Sequence, residues 1–223
     1  MNTTAAPLTR SFLVLLASGR RGGNTEHLAR AAAAGLAPDV SQRWIRLSDH
    51  PLAPFEDIRH TGDGRCPAPE GNERVLLDAT LAASDLVVAS PLYWYSVTAS
   101  AKLYLDHWSG WLRVPGVDFK ARMRGKTLWT ISAYSSDDVA MVDPLLGTLR
   151  LTADYLGMRW GGALLANANR PGEAAADPAT AARARGFFAA PASSRPDPPV
   201  TPTRLVTPTR LATPTRLATP TGR

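Results

Sequence analysis

The stretch Ser11–Arg30 reads SFLVLLASGRRGGNTEHLAR. Its apolar run, Phe12–Ala17, predicts a buried β-strand, and the segment from Asn24 onward predicts a helix. The polar loop between them, rich in glycine and arginine, therefore carries a strand into a helix N-terminus. Such junctions bind anions, because the first N–H groups of the helix lack intrahelical partners and the helix dipole favours negative charge.

The loop predicts a phosphate site of a restricted kind. Ser18, Asn24 and Thr25 offer side-chain donors, and either Arg20 or Arg21 offers a positive charge. The sequence SGRRGGNT lacks the Gly-Lys-Ser/Thr of a Walker loop and does not fit the dinucleotide pattern G-x-G-x-x-G. A phosphate monoester therefore suits the loop better than ATP or a dinucleotide. Taken alone, the stretch also fits an ordinary turn whose glycines serve backbone geometry.

Charge and composition restrict the class of protein. The chain has 223 residues and a formal net charge of +6, of which residues 191–223 contribute +4 and residues 1–190 only +2. The basicity is thus weak evidence for nucleic-acid binding, and we expect no nucleic-acid partner. Cys66 is the only cysteine, which favours a cytoplasmic protein without intrachain disulfides. No run approaches the ~18 apolar residues of a membrane helix, so we expect no membrane partner.

Hydrophobic periodicity predicts five strands alternating with five helices. The predicted strands are 12–17, 40–47, 85–90, 127–133 and 159–166. The predicted helices are 26–36, with Asn24 or Thr25 as its cap, then 73–84, 98–111, 139–156 and 178–188. This alternation predicts an α/β fold with a parallel sheet covered by helices on both faces. Ligands bind at the carboxyl ends of such strands, and in the strand order 2-1-3-4-5 the loops after the first, third and fourth strands converge there.

Other segments offer weaker functional signals. The connection 48–71 contains His, Asp and Cys66, but its spacings fit no zinc pattern, and we expect no metal. Tyr104, Trp108 and Trp111 share one helix face, which indicates core or interface packing. His107 follows Asp106, and adjacent helical positions do not face each other, so we do not expect a catalytic pair.

Two loop motifs together resemble one protein family. SGRRGGNT at 18–25, PLYWYS at 91–96 and AKLYLDHW at 101–108 resemble the flavodoxin-fold NAD(P)H-dependent FMN reductase and quinone reductase family, over about 12–188. The resemblance implies a flavodoxin-like fold, with the first loop holding the FMN phosphate and the second the isoalloxazine ring. The implied phosphate contacts are Ser18, Arg20, Asn24 and Thr25. The implied flavin contacts are Pro91, Leu92, Tyr93, Trp94, Ser132, Ala133 and Tyr134.

The resemblance also implies a function. FMN would take a hydride from NADPH or NADH and pass it to a small-molecule acceptor such as a quinone, an azo compound or a flavin, with no catalytic side chain. Backbone N–H groups of the Pro91–Trp94 loop would stabilise negative charge on the ring. The family implies a homodimer. Trp94-Tyr95-Ser96-Val97 stands where the family often has small residues, which leaves the acceptor pocket undefined.

Two other functions fit the same predicted fold. A one-electron flavodoxin-like carrier would present a strongly acidic surface to its redox partners, whereas residues 1–190 are close to neutral. A non-enzymatic binding module would keep the fold without the flavin. These alternatives differ from the reductase in whether purified protein binds FMN and whether a nicotinamide reduces it.

The chain divides into two predicted parts. Residues 1–190 form the predicted FMN-binding domain. From Thr201 the chain repeats TPTRLV, TPTRLA and TPTRLA before ending in TPTGR. Proline every six residues without aromatics cannot bury a core, so 191–223 is predicted to be a disordered tail.

Overall fold

The structure, a computed structural model, describes residues 10–189. Its centre is one sheet of five parallel strands. The strands are β1 (Ser11–Leu16), β2 (Ser41–Arg46), β3 (Asp85–Ala89), β4 (Thr127–Tyr134) and β5 (Arg159–Asn167). They lie in the order β2-β1-β3-β4-β5. The predicted α/β fold with strand order 2-1-3-4-5 is therefore confirmed.

Seven α-helices cover the two faces of the sheet in this part of the chain. They are α1 (Asn24–Ala33), α2 (Gly71–Ala82), α3 (Ala99–Trp111), α4 (Phe119–Met123), α5 (Asp143–Leu156), α6 (Glu173–Ala176) and α7 (Pro178–Gly186). Buried side chains of α2, α3, α4 and α5 form one core, and those of α1, α6 and α7 form a second core on the other face. The buried strands alternate between these cores, with Leu13 and Leu15 in the first and Phe12 and Val14 in the second.

The predicted helices differ from the structure in three details. The prediction missed α4 and α6, because helices of five and four residues are too short to show a period. The cap of α1 is Gly23 rather than Asn24 or Thr25, and it makes no side-chain capping bond. The predicted helix 139–156 begins as a 3₁₀ turn, Val139–Val142, before α5.

The aromatic face of α3 belongs to the core. Tyr104, Trp108 and Trp111 are each at most 4% exposed and pack edge to face against one another or against Phe119. The Tyr104 hydroxyl lies 2.6 Å from the hydroxyl of Thr80 on α2. These residues therefore fix α3 against α2 and α4, which confirms the prediction of core packing.

The two ends of the described chain meet at the amino end of the sheet. Arg10, directly before β1, forms an ion pair of 2.6 Å with Asp85 at the start of β3. The same guanidinium donates to the carbonyl of Phe188 at 2.8 Å. Nε1 of Trp129 donates to the same carboxylate oxygen, Oδ1 of Asp85, at 2.8 Å. The predicted tail, 191–223, lies outside the described residues.

Candidate functional site

A polar cleft lies at the carboxyl end of the sheet, where the loops after β1, β3, β4 and β5 meet. Its volume is about 200 Å³. Its lining residues are Ser18, Arg20, Gly23, Asn24, Thr25, Pro91, Leu92, Tyr93, Ala133, Tyr134, Ser135, Ala168 and Asn169. Four loops far apart in sequence thus converge on one site, as the parallel topology allows.

The cleft brings together most of the site residues predicted from sequence. Two of the predicted residues do not line it: Ser132 is buried inside β4, and the side chain of Trp94 is 92% exposed. The structure adds Gly23, Ser135, Ala168 and Asn169. The last two follow β5, whose loop carries no motif that would have predicted a role.

The N-terminus of α1 forms an anion cradle. Gly23 caps the helix without a side chain, and the N–H groups of Asn24, Thr25 and Glu26 make no hydrogen bond to any described residue. Gly23 has φ −80°, which any residue adopts. A Cβ there would lie 3.7 Å from Cδ of Arg20 and 3.8 Å from Oγ of Ser18. The glycine therefore keeps open the space between these two side chains, which fits a phosphate group.

The two arginines of the loop occupy different places. Arg21 donates from Nη2 to Oδ1 of Asp49 at 2.7 Å, and neither residue lines the cleft. Arg20 lines the cleft, and its guanidinium forms no ion pair with the described residues. Arg20 is thus the loop arginine available to a phosphate.

Asn24 has a different role from the one expected. Its Nδ2 donates to the carbonyl of Arg170 at 2.8 Å, and its Oδ1 accepts from the N–H of Gly172 at 3.0 Å. The side chain therefore anchors the segment after β5 beside the cleft. Thr25 accepts from the N–H of Ala133 at 3.4 Å, and its hydroxyl proton has no acceptor among residues 10–189. Thr25 can thus donate to an anion while it ties α1 to β4.

The aromatic loop after β3 is a strained two-residue turn. Tyr93 and Ser96 exchange backbone hydrogen bonds of 3.0 and 3.1 Å, and between them Trp94 and Tyr95 have φ values of 50° and 63°. Positive φ at both central positions defines a type I′ turn, which favours Asn-Gly. The N–H groups of Leu92 and Tyr93 donate to Ala133 and Ser96, so they are not available to a ligand. Of the N–H groups expected to stabilise the ring, the loop therefore leaves only that of Trp94 without a hydrogen bond to the described residues.

Hydroxyl groups hold this turn against β1. The N–H of Thr98 donates to Oγ of Ser90 at 3.0 Å, and Oγ1 of Thr98 donates to the carbonyl of Ala17 at 2.8 Å. Thr98 also caps α3 by accepting from the N–H of Ala101. The aromatic turn and the phosphate loop are therefore linked through fully paired buried groups.

A buried carboxylate lies beneath the phosphate loop. Glu26, only 6% exposed, accepts from the N–H of Gly22 at 2.9 Å, from Arg46 at 2.5 Å and from Arg30 at 2.7 Å. Burial acts to raise the pKa of Glu26, but the hydrogen bonds from Arg46, Gly22 and Arg30 together outweigh it and lower the pKa to about 2. Glu26 is thus ionised at neutral pH.

A larger cavity, of about 580 Å³, lies between the β2–α2 connection and α3. Three carboxylates, Glu56, Glu70 and Glu73, line it and disfavour a phosphate ligand. His107 also lines it, with Nδ1 2.9 Å from Glu73 and Nε2 2.9 Å from the carbonyl of Ala53. As expected, His107 does not pair with Asp106, which instead forms an ion pair with Lys102 at 2.5 Å.

Cys66 lies beside the same cavity, and burial raises the pKa of its thiol. A raised pKa keeps the thiol protonated and weakly nucleophilic at neutral pH. Among residues 10–189, no group of three or more His, Cys, Asp or Glu side chains is placed to hold a metal ion. No helix in this range has both the length and the apolarity needed to cross a membrane.

This sheet, with free helix N–H groups after β1 and an aromatic turn after β3, defines a flavodoxin-like protein. Residues 11–161 match the family described as NADPH-dependent FMN reductase. The chain belongs to this family. It is an NAD(P)H-dependent FMN oxidoreductase, with FMN as its cofactor and a reduced nicotinamide dinucleotide as its electron donor.

Individual proteins agree with this assignment. The protein YwqN of Bacillus subtilis (strain 168), provisionally named an NAD(P)H-dependent FMN-containing oxidoreductase, is 32% identical over 155 residues, which cover 69% of this chain and 83% of YwqN. The structure of the Trp repressor binding protein of Bacillus subtilis has a TM-score of 0.62 at 25% identity and covers 79% of this chain and 97% of its own. RosB, solved with bound 8-demethyl-8-formylriboflavin-5'-phosphate, has a TM-score of 0.64 at 20% identity, covering 81% and 76%, and shares the fold.

Proposed function

We propose that the cleft at the carboxyl end of the sheet binds FMN and that the enzyme reduces a quinone, an azo compound or a flavin. The observation that carries the proposal is the cradle around Gly23. Free helix N–H groups, the side chain of Arg20 and the hydroxyls of Ser18 and Thr25 line one end of the cleft, where a Cβ at Gly23 would contact Arg20 and Ser18. This donor set matches the charge and the acceptor oxygens of a phosphate monoester.

The open rim of the cleft suits the flavin ring. A volume of about 200 Å³ is below the ~300 Å³ typical of a site that encloses a whole ligand. The phosphate end would fill this volume, and the ring would extend over the open rim against Tyr93 and Tyr134. Trp94, fully exposed, would reach the ring or its acceptor from the same rim. Its backbone N–H makes no hydrogen bond to the described residues and could donate to the ring edge.

When bound, FMN supplies hydride chemistry between the nicotinamide and the acceptor. The chain's residues would bind and orient both partners. The half-exposed Tyr93 and Tyr95 and the exposed Trp94 give planar compounds an aromatic surface on which to stack. That surface favours a planar, small-molecule acceptor over a docked protein partner.

We further propose that the enzyme is a homodimer. A groove of about 310 Å³ between α3 and α5 is lined chiefly by apolar side chains, including Leu105 and Leu112. Leu151 and Tyr155 on its α5 side are 71% and 61% exposed. An apolar face of this kind is typical of an interface. Light scattering of the native protein and of Leu151→Glu tests this, and a native monomer would contradict it.

The function is tested by the visible spectrum of protein saturated with FMN. We expect flavin bands that bleach when NADPH or NADH is added without oxygen and that return when a quinone or azo compound is added. Protein that stays colourless with excess FMN would favour the non-enzymatic module. Protein that binds FMN but is not reduced by either nicotinamide would favour the one-electron carrier.

A further inference from the structure

Glu26 is an unusual residue for an anion site. It is the third residue of α1, in the turn whose free N–H groups face the proposed phosphate position. A carboxylate there repels a phosphate through space, and burial at 6% exposure adds the cost of removing the charge from water. Its contacts must therefore provide a compensating advantage.

The contacts of Glu26 shape the phosphate loop. Oε2 accepts from the N–H of Gly22 at 2.9 Å, one residue before the helix cap. The same oxygen accepts from Arg46, whose side chain is only 9% exposed and whose Nη1 also contacts the carbonyl of Arg20 at 3.5 Å. Glu26 and Arg46 together therefore hold both sides of the loop that carries Arg20.

Gly22 is the residue at which this loop turns. Its φ is +63°, which only glycine adopts without strain, so the loop reverses direction here before entering α1. In a capping box, a Glu at the third helical position bonds back to the N–H of the cap residue. Here Glu26 bonds back one residue earlier. The N–H of the cap residue Gly23 consequently remains free for the ligand, beside those of Asn24 and Thr25.

We infer that Glu26 is a positioning residue, which with Arg46 presets the loop 18–24 for the phosphate of FMN. The inference rests on the proposed FMN site and adds a residue that does not touch the ligand. A preformed loop binds more tightly because less order is lost on binding. The second oxygen, Oε1, pairs with Arg30, whose side chain is 58% exposed and makes no contact with the loop.

Two variants separate positioning from simple charge. Glu26→Gln makes the site more positive, so charge alone predicts tighter FMN binding. Its amide oxygen would replace Oε2 as a neutral, weaker acceptor for Gly22 and Arg46, and its amide nitrogen would oppose Arg30, so positioning predicts that the Kd for FMN rises by about tenfold or more. Arg30→Ala makes the site less positive, so charge alone predicts weaker binding, whereas positioning predicts a change of less than about twofold.

The measurement is calorimetric or fluorescence titration at neutral pH with FMN and with riboflavin, which lacks the phosphate. We expect Glu26→Gln to weaken FMN binding much more than riboflavin binding. Equal losses for both flavins, or FMN binding as tight as in the native protein, would overturn the positioning role. Native protein that binds no FMN would instead overturn the proposed function.

A second substitution of Glu26 guards against misfolding of the first, which circular dichroism would reveal. Glu26→Asp keeps the charge but is one methylene too short to reach Gly22 and Arg46 together. Positioning predicts that it also loses FMN affinity selectively. An aspartate variant with native FMN affinity would overturn the inference.

Discussion

The Arg21 guanidinium lies 2.7 Å from the carboxylate of Asp49, in the 3₁₀ turn Leu47–Asp49 after β2, so that adjacent arginines in one loop have different surroundings. Asp49 holds Arg21 outside the cleft. Arg20, without an acidic partner in the described chain, lines it. The sequence RR offers no means of distinguishing the two, because Asp49 is 28 residues away.

Arg20→Ala is therefore expected to weaken FMN binding, and Arg21→Ala is its matched control. A charged hydrogen bond to phosphate contributes about 1.5 to 3 kcal/mol, which corresponds to a Kd increase of at least about tenfold. The Arg21–Asp49 pair is 72% and 42% exposed, and such pairs contribute less than about 1 kcal/mol. FMN titration of both variants checks this, and the opposite ranking would contradict the assignment.

Gly23→Ala is expected to reduce FMN affinity without destabilising the apoprotein. The backbone at Gly23 suits alanine, and the new methyl group would lie in ordinary contact with Arg20 and Ser18, inside the cradle. Loss of free energy of unfolding in urea with unchanged FMN binding would argue against a phosphate there. Gly22→Ala is the contrast: its positive φ predicts a loss of stability as well.

Asn24→Ala is expected to loosen the segment after β5. The side chain makes part-buried hydrogen bonds to Arg170 and Gly172, and removing them costs about 1 kcal/mol each. We expect faster hydrogen exchange at 168–177 and a lower free energy of unfolding. Thr25→Val, which removes only a hydroxyl group at a neighbouring position, should affect FMN affinity more than exchange in that segment.

Replacing Trp94-Tyr95 by Asn-Gly is expected to stabilise the protein and impair turnover. Each non-glycine residue in the left-handed region costs roughly 1 kcal/mol, and Asn-Gly suits a type I′ turn. The Tm should rise by about 5 °C, while kcat/KM for a planar acceptor falls. Asp118→Gly is a control, because Asp118 also has positive φ, at 49°, but caps α4 and is not part of the aromatic turn. Unchanged turnover in the Asn-Gly variant would mean that Trp94 and Tyr95 take no part in binding the acceptor.

Stability is expected to depend on Glu26 at acid pH. A carboxyl group whose pKa is lower in the folded than in the unfolded state stabilises the fold above its unfolded pKa, and that contribution disappears as the pH falls through the folded pKa. For Glu26 this window runs from 4.5 down to about 2. The contribution is about 3 kcal/mol at most. The free energies of unfolding in urea of the native protein and of Glu26→Gln should therefore converge as the pH falls below about 4.

Hydrophobic patterning predicted the parallel sheet and the helices that cover it, because burial acts through long, regular runs. The strand order 2-1-3-4-5, and with it the convergence of three loops, was that of the flavodoxin-like fold, which the loop motifs resemble. The pattern could not predict which polar side chains are paired within the protein and which are available to a ligand. The role of Asn24 depends on Arg170, and the pairing of Glu26 depends on Arg46, both distant in sequence. Trp94 was predicted from its motif to contact the flavin, but the conformation of the turn leaves its indole exposed in the absence of a ligand. Such contacts are set by tertiary geometry rather than by local pattern.

The Arg10–Asp85–Phe188 cluster has a practical consequence. It places both ends of the described chain at the amino edge of the sheet, on the opposite side of the molecule from the cofactor cleft. A fluorophore, an affinity handle or an electrode linker attached at residue 189 would therefore leave the rim of the proposed flavin site open to solvent. The fold thus provides a natural orientation for immobilising this reductase with its redox centre facing the medium.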